Sequence, residues 1–273
     1  MDLSMKYTVL SLFPEIVDAY FASSIMAKAV NRGIVAYRPV NIRDFALDKH
    51  KTCDDAPYGG GAGMLMLAEP LGKALESVGV RNRLEGAMRH SGRVIYLSPG
   101  GRPFTQELAK ELAREDELIL LCGRYEGIDQ RIIDAYVDEE ISIGDYVLSS
   151  GEVAALALID ATYRLVDRVI KQESLEEESF SGGLLEYPQY TRPELYGTLR
   201  VPELLLSGHH ENIRRWRLKK RVEKTLALRS DLIRRGEEMA FFDGETRKLI
   251  QELGGEKDER DTGHRSLPDE GRN

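Results

Sequence analysis

Three short segments of the 273-residue chain combine glycine with polar side chains, and each follows a run that has the pattern of a β-strand. Their sequences are SPGGR at 98–102, GRYEGID at 123–129 and SIGDYVLSSGE at 142–152. Glycine lets the backbone approach a flat ligand and present its N–H and C=O groups, while tyrosine and leucine supply apolar walls. The segments therefore have the chemistry needed to hold an adenine and a ribose. Any one of them alone is more often an ordinary tight turn, so this interpretation depends on all three occurring together.

Two familiar nucleotide-binding motifs are missing from the sequence. It contains neither a phosphate loop of the form G-x-x-x-x-G-K-S/T nor a strand-anchored G-x-G-x-x-G. Their absence disfavours a kinase, a GTPase and a standard NAD-dependent enzyme.

Strand and helix patterns alternate through the part of the chain that carries these segments. The periodicity predicts β-strands at 7–13, 34–40, 94–97, 118–122 and 140–148. It predicts helices at 15–22, 25–32, 69–78, 105–114, 128–136 and 151–166. Such alternation is typical of an α/β fold with a parallel sheet, in which ligands bind in the loops beyond the carboxyl ends of the strands.

The pattern changes after about Lys171. An acidic stretch at 173–178 is followed by glycines and by a proline-containing stretch, which predicts a flexible linker over 171–192. We expect 1–170 to form the α/β domain with the ligand site and 193–253 to form a small helical domain. The remainder, 254–273, is charged and has no apolar rhythm, so we expect a disordered tail.

Composition indicates a soluble protein of the cytoplasm. No apolar run approaches the roughly 20 residues of a membrane helix, and the apolar start of the chain lacks the basic lead of a signal peptide. The only two cysteines, Cys53 and Cys122, lie far apart and fit no metal-binding spacing. The formal charge is −8, but 209–235 holds ten Lys/Arg against three Asp/Glu, a net +7. Attraction for phosphate is therefore expected only in that region.

Several longer motifs resemble the bacterial tRNA (guanine-N1-)-methyltransferase family, TrmD. They are SLFPE at 11–15, DDAPYGGG at 54–61, Gly63-Met64, the three segments above, and the stretches at 188–194 and 206–210. The likeness covers roughly residues 6–235. It implies a SPOUT-type α/β domain with a deep trefoil knot, and a homodimer with the active site at the subunit interface. It also implies that S-adenosylmethionine methylates N1 of the guanine just 3′ of the anticodon, position 37 of tRNA.

The resemblance also implies which residues hold the methyl donor. They lie in the three glycine-containing segments and in the last two residues of the strand predicted at 94–97: Tyr96, Leu97, Ser98, Pro99, Gly123, Tyr125, Glu126, Gly127, Ile143, Gly144, Asp145, Tyr146, Val147, Leu148 and Gly151. Ser150 departs from the family, which usually has glycine there. The added hydroxymethyl group is expected to alter cofactor packing modestly.

Methylation at guanine N1 needs a general base, because neutral guanine carries a hydrogen on that atom, and a donor for the charge that builds on O6. The resemblance assigns these roles to Glu178 and Arg164. The family has aspartate where this chain has Glu178, which keeps the carboxylate and adds one methylene. Taken alone, Glu178 belongs to an acidic run typical of solvated linkers, and Arg164 has the character of a surface salt-bridge residue. Glu186 is a secondary candidate, for orienting the cofactor amino group.

A basic stretch suits the phosphate backbone of tRNA. The residues that we expect to contact RNA lie on one predicted helix or at its start: His209, Arg214, Arg215, Arg217, Lys219 and Lys220. The alternative is a solvated helix whose apolar face packs inward, and both can hold at once. His209 and His210 could equally satisfy local hydrogen bonds. Family members also require magnesium, but no clustered carboxylates suggest a metal site, so no metal ligand is predicted.

Two rival functions follow from the same features. A knotted methyltransferase could act on ribosomal RNA or on a ribose hydroxyl, which would need no carboxylate matched to guanine N1. A cofactor-binding RNA-binding module without catalysis is the other, and Glu178 in place of aspartate is the feature that favours it.

Overall fold

A computed structural model describes residues 5–85, 92–171 and 178–262. The chain divides into two units, Met1–Lys171 and Gln172–Asn273, which we call the N-terminal unit and the C-terminal unit. Within the described ranges, no helix has the length and the apolar character needed to cross a membrane.

A parallel five-stranded sheet forms the centre of the N-terminal unit. Its strands, in chain order, are β1 (Met5–Ser11), β2 (Val35–Asn41), β5 (Arg93–Pro103), β6 (Glu117–Leu121) and β7 (Glu139–Ser142). Two shorter strands, β3 (Asp54–Asp55) and β4 (Leu65–Met66), pair antiparallel with each other. The order in the main sheet is β2-β1-β6-β5-β7, with every neighbouring pair parallel. The predicted α/β fold with a parallel sheet is therefore confirmed.

Helices cover both faces of this sheet. They are α1 (Pro14–Phe21), α2 (Ser24–Asn31), α3 (Ala68–Ser77), α4 (Gln106–Leu112), α5 (Gln130–Tyr136) and α6 (Gly151–Tyr163). Because side chains alternate along a strand, Leu118 and Leu120 of β6 pack in one core with α1, α2, α4 and α6. Ile119 and Leu121 pack in the other core, with α3 and α5. All six helices lie within about two residues of their predicted positions, apart from the last turns of α6.

Two predicted strand boundaries are wrong. The strand predicted at 140–148 ends at Ser142, because Gly144 turns the chain with a φ of 146°. The stretch 98–102, predicted as a loop after a strand, lies inside β5 as a bulge, since Leu97 and Arg102 both pair with Ile141. Gly101 permits this, because a Cβ there would lie 2.4 Å from the backbone nitrogen of Ile141.

The C-terminal unit is helical, as predicted, with one short hairpin that was not. The hairpin joins β8 (Leu195–Tyr196) and β9 (Leu199–Arg200). The helices are α7 (Glu203–Leu206), α8 (His210–Leu228), α9 (Ser230–Glu238) and α10 (Gly244–Thr262). The core of this unit is formed by Leu184, Val222, Ile233, Phe242 and Ile250. The helix α10 continues beyond Leu253, where the predicted tail begins, while 263–273 lies outside the described residues.

The flexible linker predicted over 171–192 stays a prediction, but its described part, 178–192, contains buried residues and makes hydrogen bonds to α8. Leu184 and Tyr187 are only 2% and 8% exposed. The N–H of Leu185 donates to Oγ1 of Thr225 on α8 at 2.9 Å, and the Arg221 guanidinium donates to the carbonyl of Leu185 at 3.3 Å. Leu184 belongs to the core of the C-terminal unit, a contact that a prediction from polar composition overlooks. Its acidic beginning, 172–177, lies outside the described residues.

Candidate active site

A cleft opens in the N-terminal unit beside the bulge of β5 and beyond the carboxyl ends of β6 and β7. It is lined by the three glycine-containing segments and their flanks: Tyr96, Leu97, Ser98, Pro99, Gly123, Arg124, Tyr125, Glu126, Gly127, Ile141, Ser142, Ile143, Gly144, Tyr146, Val147, Leu148, Ser149, Ser150, Gly151 and Ala154. Fourteen of the fifteen residues predicted to hold a cofactor are in this set. Asp145, which is exposed, does not line the cleft. Prediction overlooked Arg124, Ser142 and Ser149, although each adjoins a predicted residue.

Close backbone contact between two of the segments shapes one wall of the cleft. The N–H of Gly151 donates to the carbonyl of Gly123 at 2.7 Å, and Arg124 forms an antiparallel bridge with Ser150. A Cβ on Gly151 would lie 2.8 Å from the Gly123 nitrogen, so only glycine fits without movement. Ser150, the departure from the family, lies on the cleft wall with an extended backbone, and its side chain makes no capping bond to α6.

Apolar side chains are exposed along the cleft. Tyr146 is 54% exposed and Val147 86%, and Leu148 and Tyr125 are exposed as well. The Tyr146 hydroxyl donates to the carbonyl of Ile143 at 3.2 Å, which holds the ring in place. Tyr125 has a left-handed backbone with a φ of 58°, a conformation that costs free energy for a residue other than glycine. Exposed aromatic and aliphatic groups around a concave surface are typical of a ligand site.

The motif around Gly63 supports the second segment from behind. The N–H of Glu126 donates to the carbonyl of Met64 at 3.1 Å, and the N–H of Met66 donates to the carbonyl of Gly127 at 3.0 Å. The Glu126 side chain occupies the space that a Cβ on Gly63 would need. The stretch 63–66 therefore packs against the 123–129 loop.

The Tyr96 ring lies beneath this loop, within the space that a Cβ on Gly123 would need. Burial, with a smaller contribution from the Glu140 carboxylate, raises the pKa of Tyr96 to about 12. The phenol is therefore protonated at neutral pH.

The two predicted catalytic residues belong to different units. Arg164 is half-buried and caps the carboxyl end of α6, the helix that starts at the cleft. Glu178 is half-buried in the C-terminal unit, and its carbonyl accepts the N–H of Ser181 at 3.1 Å. Glu186, the secondary candidate, accepts a short hydrogen bond from the Gln189 amide, and its own N–H donates to Ser179.

The predicted RNA-binding cations of α8 have acidic neighbours. Arg214 donates to Glu211 and to Glu245 on α10, and these carboxylates raise the pKa of Arg214 further. The remaining exposed pairs are Arg215–Glu211 at 3.0 Å, Lys220–Glu223 at 2.7 Å and Lys219–Glu223 at 3.9 Å. Arg217 differs from these, because its guanidinium lies over the Tyr187 ring at 4.7 Å. His209 is exposed at the start of the helix.

No cluster of three metal-binding side chains was found among the residues that the structure describes. The two cysteines are unpaired and buried. Burial, and to a smaller extent the Glu152 carboxylate, raises the pKa of the Cys122 thiol well above its usual value.

Comparison with known proteins identifies the family. The model of the tRNA (guanine-1)-methyltransferase family TrmD matches residues 5–235. The tRNA (guanine-N(1)-)-methyltransferase of Treponema denticola is 61% identical over 249 residues, covering 91% of this chain and 99% of the relative. The proteins of that name from Treponema pallidum and Borreliella burgdorferi are 56% and 60% identical, covering 91% and 84% of this chain and 96% and 92% of the relatives. These matches confirm the resemblance drawn from the motifs. The chain belongs to the TrmD family of tRNA (guanine-1)-methyltransferases.

Proposed function

We propose that this enzyme transfers the methyl group of S-adenosylmethionine to N1 of the guanine immediately 3′ of the anticodon, position 37 of tRNA. The observation that carries the proposal is the cleft, which brings together fourteen residues implied by the family motifs, around the bulge of β5 and the carboxyl ends of β6 and β7. The names of the relatives support tRNA as the substrate and guanine N1 as the acceptor.

The cleft residues suit this methyl donor. Tyr125, Tyr146 and Leu148 offer flat apolar surface for an adenine ring, while the hydroxyls of Ser98 and Ser149 and the Glu126 carboxylate offer polar partners for a ribose and an amino acid. When bound, S-adenosylmethionine supplies an electrophilic methyl group carried on a sulfonium. Around a bound cofactor, the apolar rim would exclude water and so strengthen the electrostatic interactions inside the cleft.

We propose that Glu178 is the general base. Guanine N1 can attack a methyl group only after it loses its proton, and a carboxylate within hydrogen-bond reach accepts that proton. Negative charge then builds on O6 of the base, where the Arg164 guanidinium would donate hydrogen bonds. The support comes from the family motif, in which an aspartate stands at the Glu178 position. The extra methylene of glutamate shifts the reach of the carboxylate without changing its chemistry.

The remaining features of the proposal are the knot, the dimer and the RNA contacts. We propose that the chain around the cleft is threaded into a trefoil knot and that two copies form a homodimer with the active site at their interface. Exposed apolar residues of α1, α2 and α6, namely Ile16, Ile25 and Val153, would then be covered. Cations of α8 would hold tRNA phosphates, and the buried, unpaired cysteines suit a cytoplasmic enzyme.

The test is transfer of labelled methyl from S-adenosylmethionine to unmodified tRNA transcripts that carry guanine at position 37, with adenine at that position as the control. We expect guanine-dependent incorporation, located at N1 by nucleoside analysis, with magnesium varied from none to excess. Label in a 2′-O-methyl nucleoside would favour the ribose-directed rival. Binding of tRNA without transfer at any magnesium concentration would favour a binding module that has lost catalysis.

A further inference from the structure

The carboxylate of Glu152 occupies an unusual position next to the cleft. Glu152 lies in the first turn of α6, directly after three residues of the cleft wall, 149–151. Its side chain is 1% exposed, and no other charged residue in the described ranges is fully buried. Burial of a carboxylate is costly unless hydrogen bonds and favourable charges compensate, so its presence here needs a reason.

One carboxylate oxygen makes a short bond to the central sheet. The Ser11 hydroxyl, at the end of β1, donates to Oε1 of Glu152 at 2.5 Å, and the same hydroxyl oxygen accepts the N–H of Phe13 at 2.8 Å. Oε2 has no hydrogen-bond partner in the described part of the chain. The amino end of α6 favours a negative charge and offsets part of the cost of burial.

This bond closes a chain of contacts around the cleft wall. The Cys122 N–H donates to the carbonyl of Leu10 at 3.0 Å, and the Gly151 N–H donates to the carbonyl of Gly123 at 2.7 Å. The end of β1, the loop after β6 and the start of α6 are thus joined in sequence. Glu152 connects the third of these elements back to the first.

We propose that Glu152 is a positioning residue for the methyl-donor cleft, an inference that rests on the proposed function. Its carboxylate holds Ser11 against the first turn of α6 and thereby fixes the backbone of 149–151 in the geometry that receives the cofactor. The role is one of position and not of charge at the reacting atoms, because Glu152 itself does not line the cleft.

A second buried bond between the same two elements provides a matched control. The hydroxyls of Tyr7 on β1 and Thr162 on α6 are 2.8 Å apart, at the end of α6 that lies away from the cleft wall. Both residues are fully buried. Tyr7→Phe therefore removes a hydrogen bond between β1 and α6 without touching the 149–151 backbone.

The experiment compares the wild type with four single variants: Ser11→Ala, Glu152→Ala, Glu152→Gln and Tyr7→Phe. For each protein, calorimetry gives the affinity for S-adenosylmethionine, a methyl-transfer assay gives KM and kcat, and a thermal melt gives the stability. We expect Ser11→Ala and Glu152→Ala to weaken cofactor binding by about tenfold or more, since small misplacements of a site are amplified in this way. The double variant Ser11→Ala/Glu152→Ala should bind the cofactor no more weakly than Glu152→Ala alone, because both changes remove the same bond. Glu152→Gln retains an oxygen that accepts from Ser11 and should bind within about twofold of the wild type.

Tyr7→Phe should lower the melting temperature and leave cofactor affinity unchanged. Equal cofactor affinity for Ser11→Ala, Glu152→Ala and Tyr7→Phe would overturn the proposal. It would also be overturned if Glu152→Gln bound the cofactor as weakly as Glu152→Ala while Ser11→Ala bound it as tightly as the wild type. If Glu152→Ala does not fold, Ser11→Ala and Glu152→Gln still decide between these outcomes. If the wild-type enzyme itself does not bind S-adenosylmethionine, the proposed function fails. If the wild type binds it and only the pattern among the variants differs from the one expected, the role of Glu152 fails and the proposed function stands.

Discussion

Replacement of Gly151 by alanine should separate the two backbone segments that form the cleft wall. The new Cβ would lie 2.8 Å from the Gly123 nitrogen, 2.9 Å from Cα of Cys122 and 3.1 Å from its carbonyl carbon. All three neighbours are backbone atoms, so no side chain can rotate away. The nearest pair must move from 2.8 to about 3.4 Å, where ordinary van der Waals contact begins, and the 2.7 Å hydrogen bond from Gly151 to Gly123 must lengthen.

Strain of this kind costs about 1–3 kcal/mol of stability, which corresponds to roughly 2–4 °C in melting temperature per kcal/mol for a unit of this size. Each 1.4 kcal/mol lost from the cofactor-binding geometry weakens binding about tenfold. The checks are a calorimetric melt and a titration with S-adenosylmethionine. Gly244→Ala is the matched control, since Gly244 is also the first residue of a helix and no neighbouring atom lies within 4 Å of the position that its new methyl group would take. It should be neutral or stabilise by about 0.4–1 kcal/mol. A Gly151→Ala enzyme as stable and as tightly binding as Gly244→Ala would refute the reasoning.

Three further predictions concern the catalytic base, the packed segment 178–192 and the thiols. Glu178→Gln should lower the rate of methyl transfer by about 10²–10⁴-fold while S-adenosylmethionine still binds, and Glu178→Asp should retain most activity. Single-turnover assays check both variants. An active Glu178→Gln enzyme would show that another group is the base. Arg221→Ala should lower the free energy of unfolding in urea by about 1–3 kcal/mol, because the Arg221 guanidinium donates to the carbonyls of Ser181 and Leu185. The control Arg215→Ala breaks a surface ion pair and should lower it by less than about 1 kcal/mol. Equal losses of stability in the two variants would refute this. Burial raises the pKa of the Cys122 thiol, so its neutral, unreactive form persists at pH 8. A thiol reagent should therefore label Cys122 only after the enzyme unfolds. Rapid labelling of Cys122 in the native enzyme would contradict this prediction.

Prediction from the sequence succeeded where one physical effect decides the structure. The apolar runs of β1 and β6 are buried on both faces of the sheet, and their positions follow from hydrophobicity alone. It failed after Ser142, where Ile143, Val147 and Leu148 have the character of strand residues. In the structure Val147 and Leu148 are exposed along the cleft and do not pack in a core. A pattern of hydrophobicity cannot distinguish an apolar residue that lines a cleft from one that packs in a core.

The same limit explains the packed segment and the hydrogen bonds around the cleft. Leu184 belongs to the core of the C-terminal unit and Tyr187 is buried, in a segment that polar composition predicts to be a linker. The bond between Ser11 and Glu152 joins residues 141 positions apart, and no local pattern indicates it. The family motifs identify the residues of the cleft, but only the fold shows which of them support the others.

The basic helix α8 offers less attraction for RNA than its number of cations suggests. Four of the six residues predicted to bind RNA have a glutamate within 4 Å, and a fifth, Arg217, lies over an aromatic ring. Exposed pairs of this kind contribute only about 0–1 kcal/mol, so a phosphate can replace a glutamate as the partner at little cost. The glutamates nevertheless remain nearby and repel the phosphate, so the attraction depends on the net charge of the helix. If α8 binds RNA as proposed, phosphate contacts of this strength would position the RNA without selecting its sequence, and selection of guanine would have to come from the groups that contact the base itself.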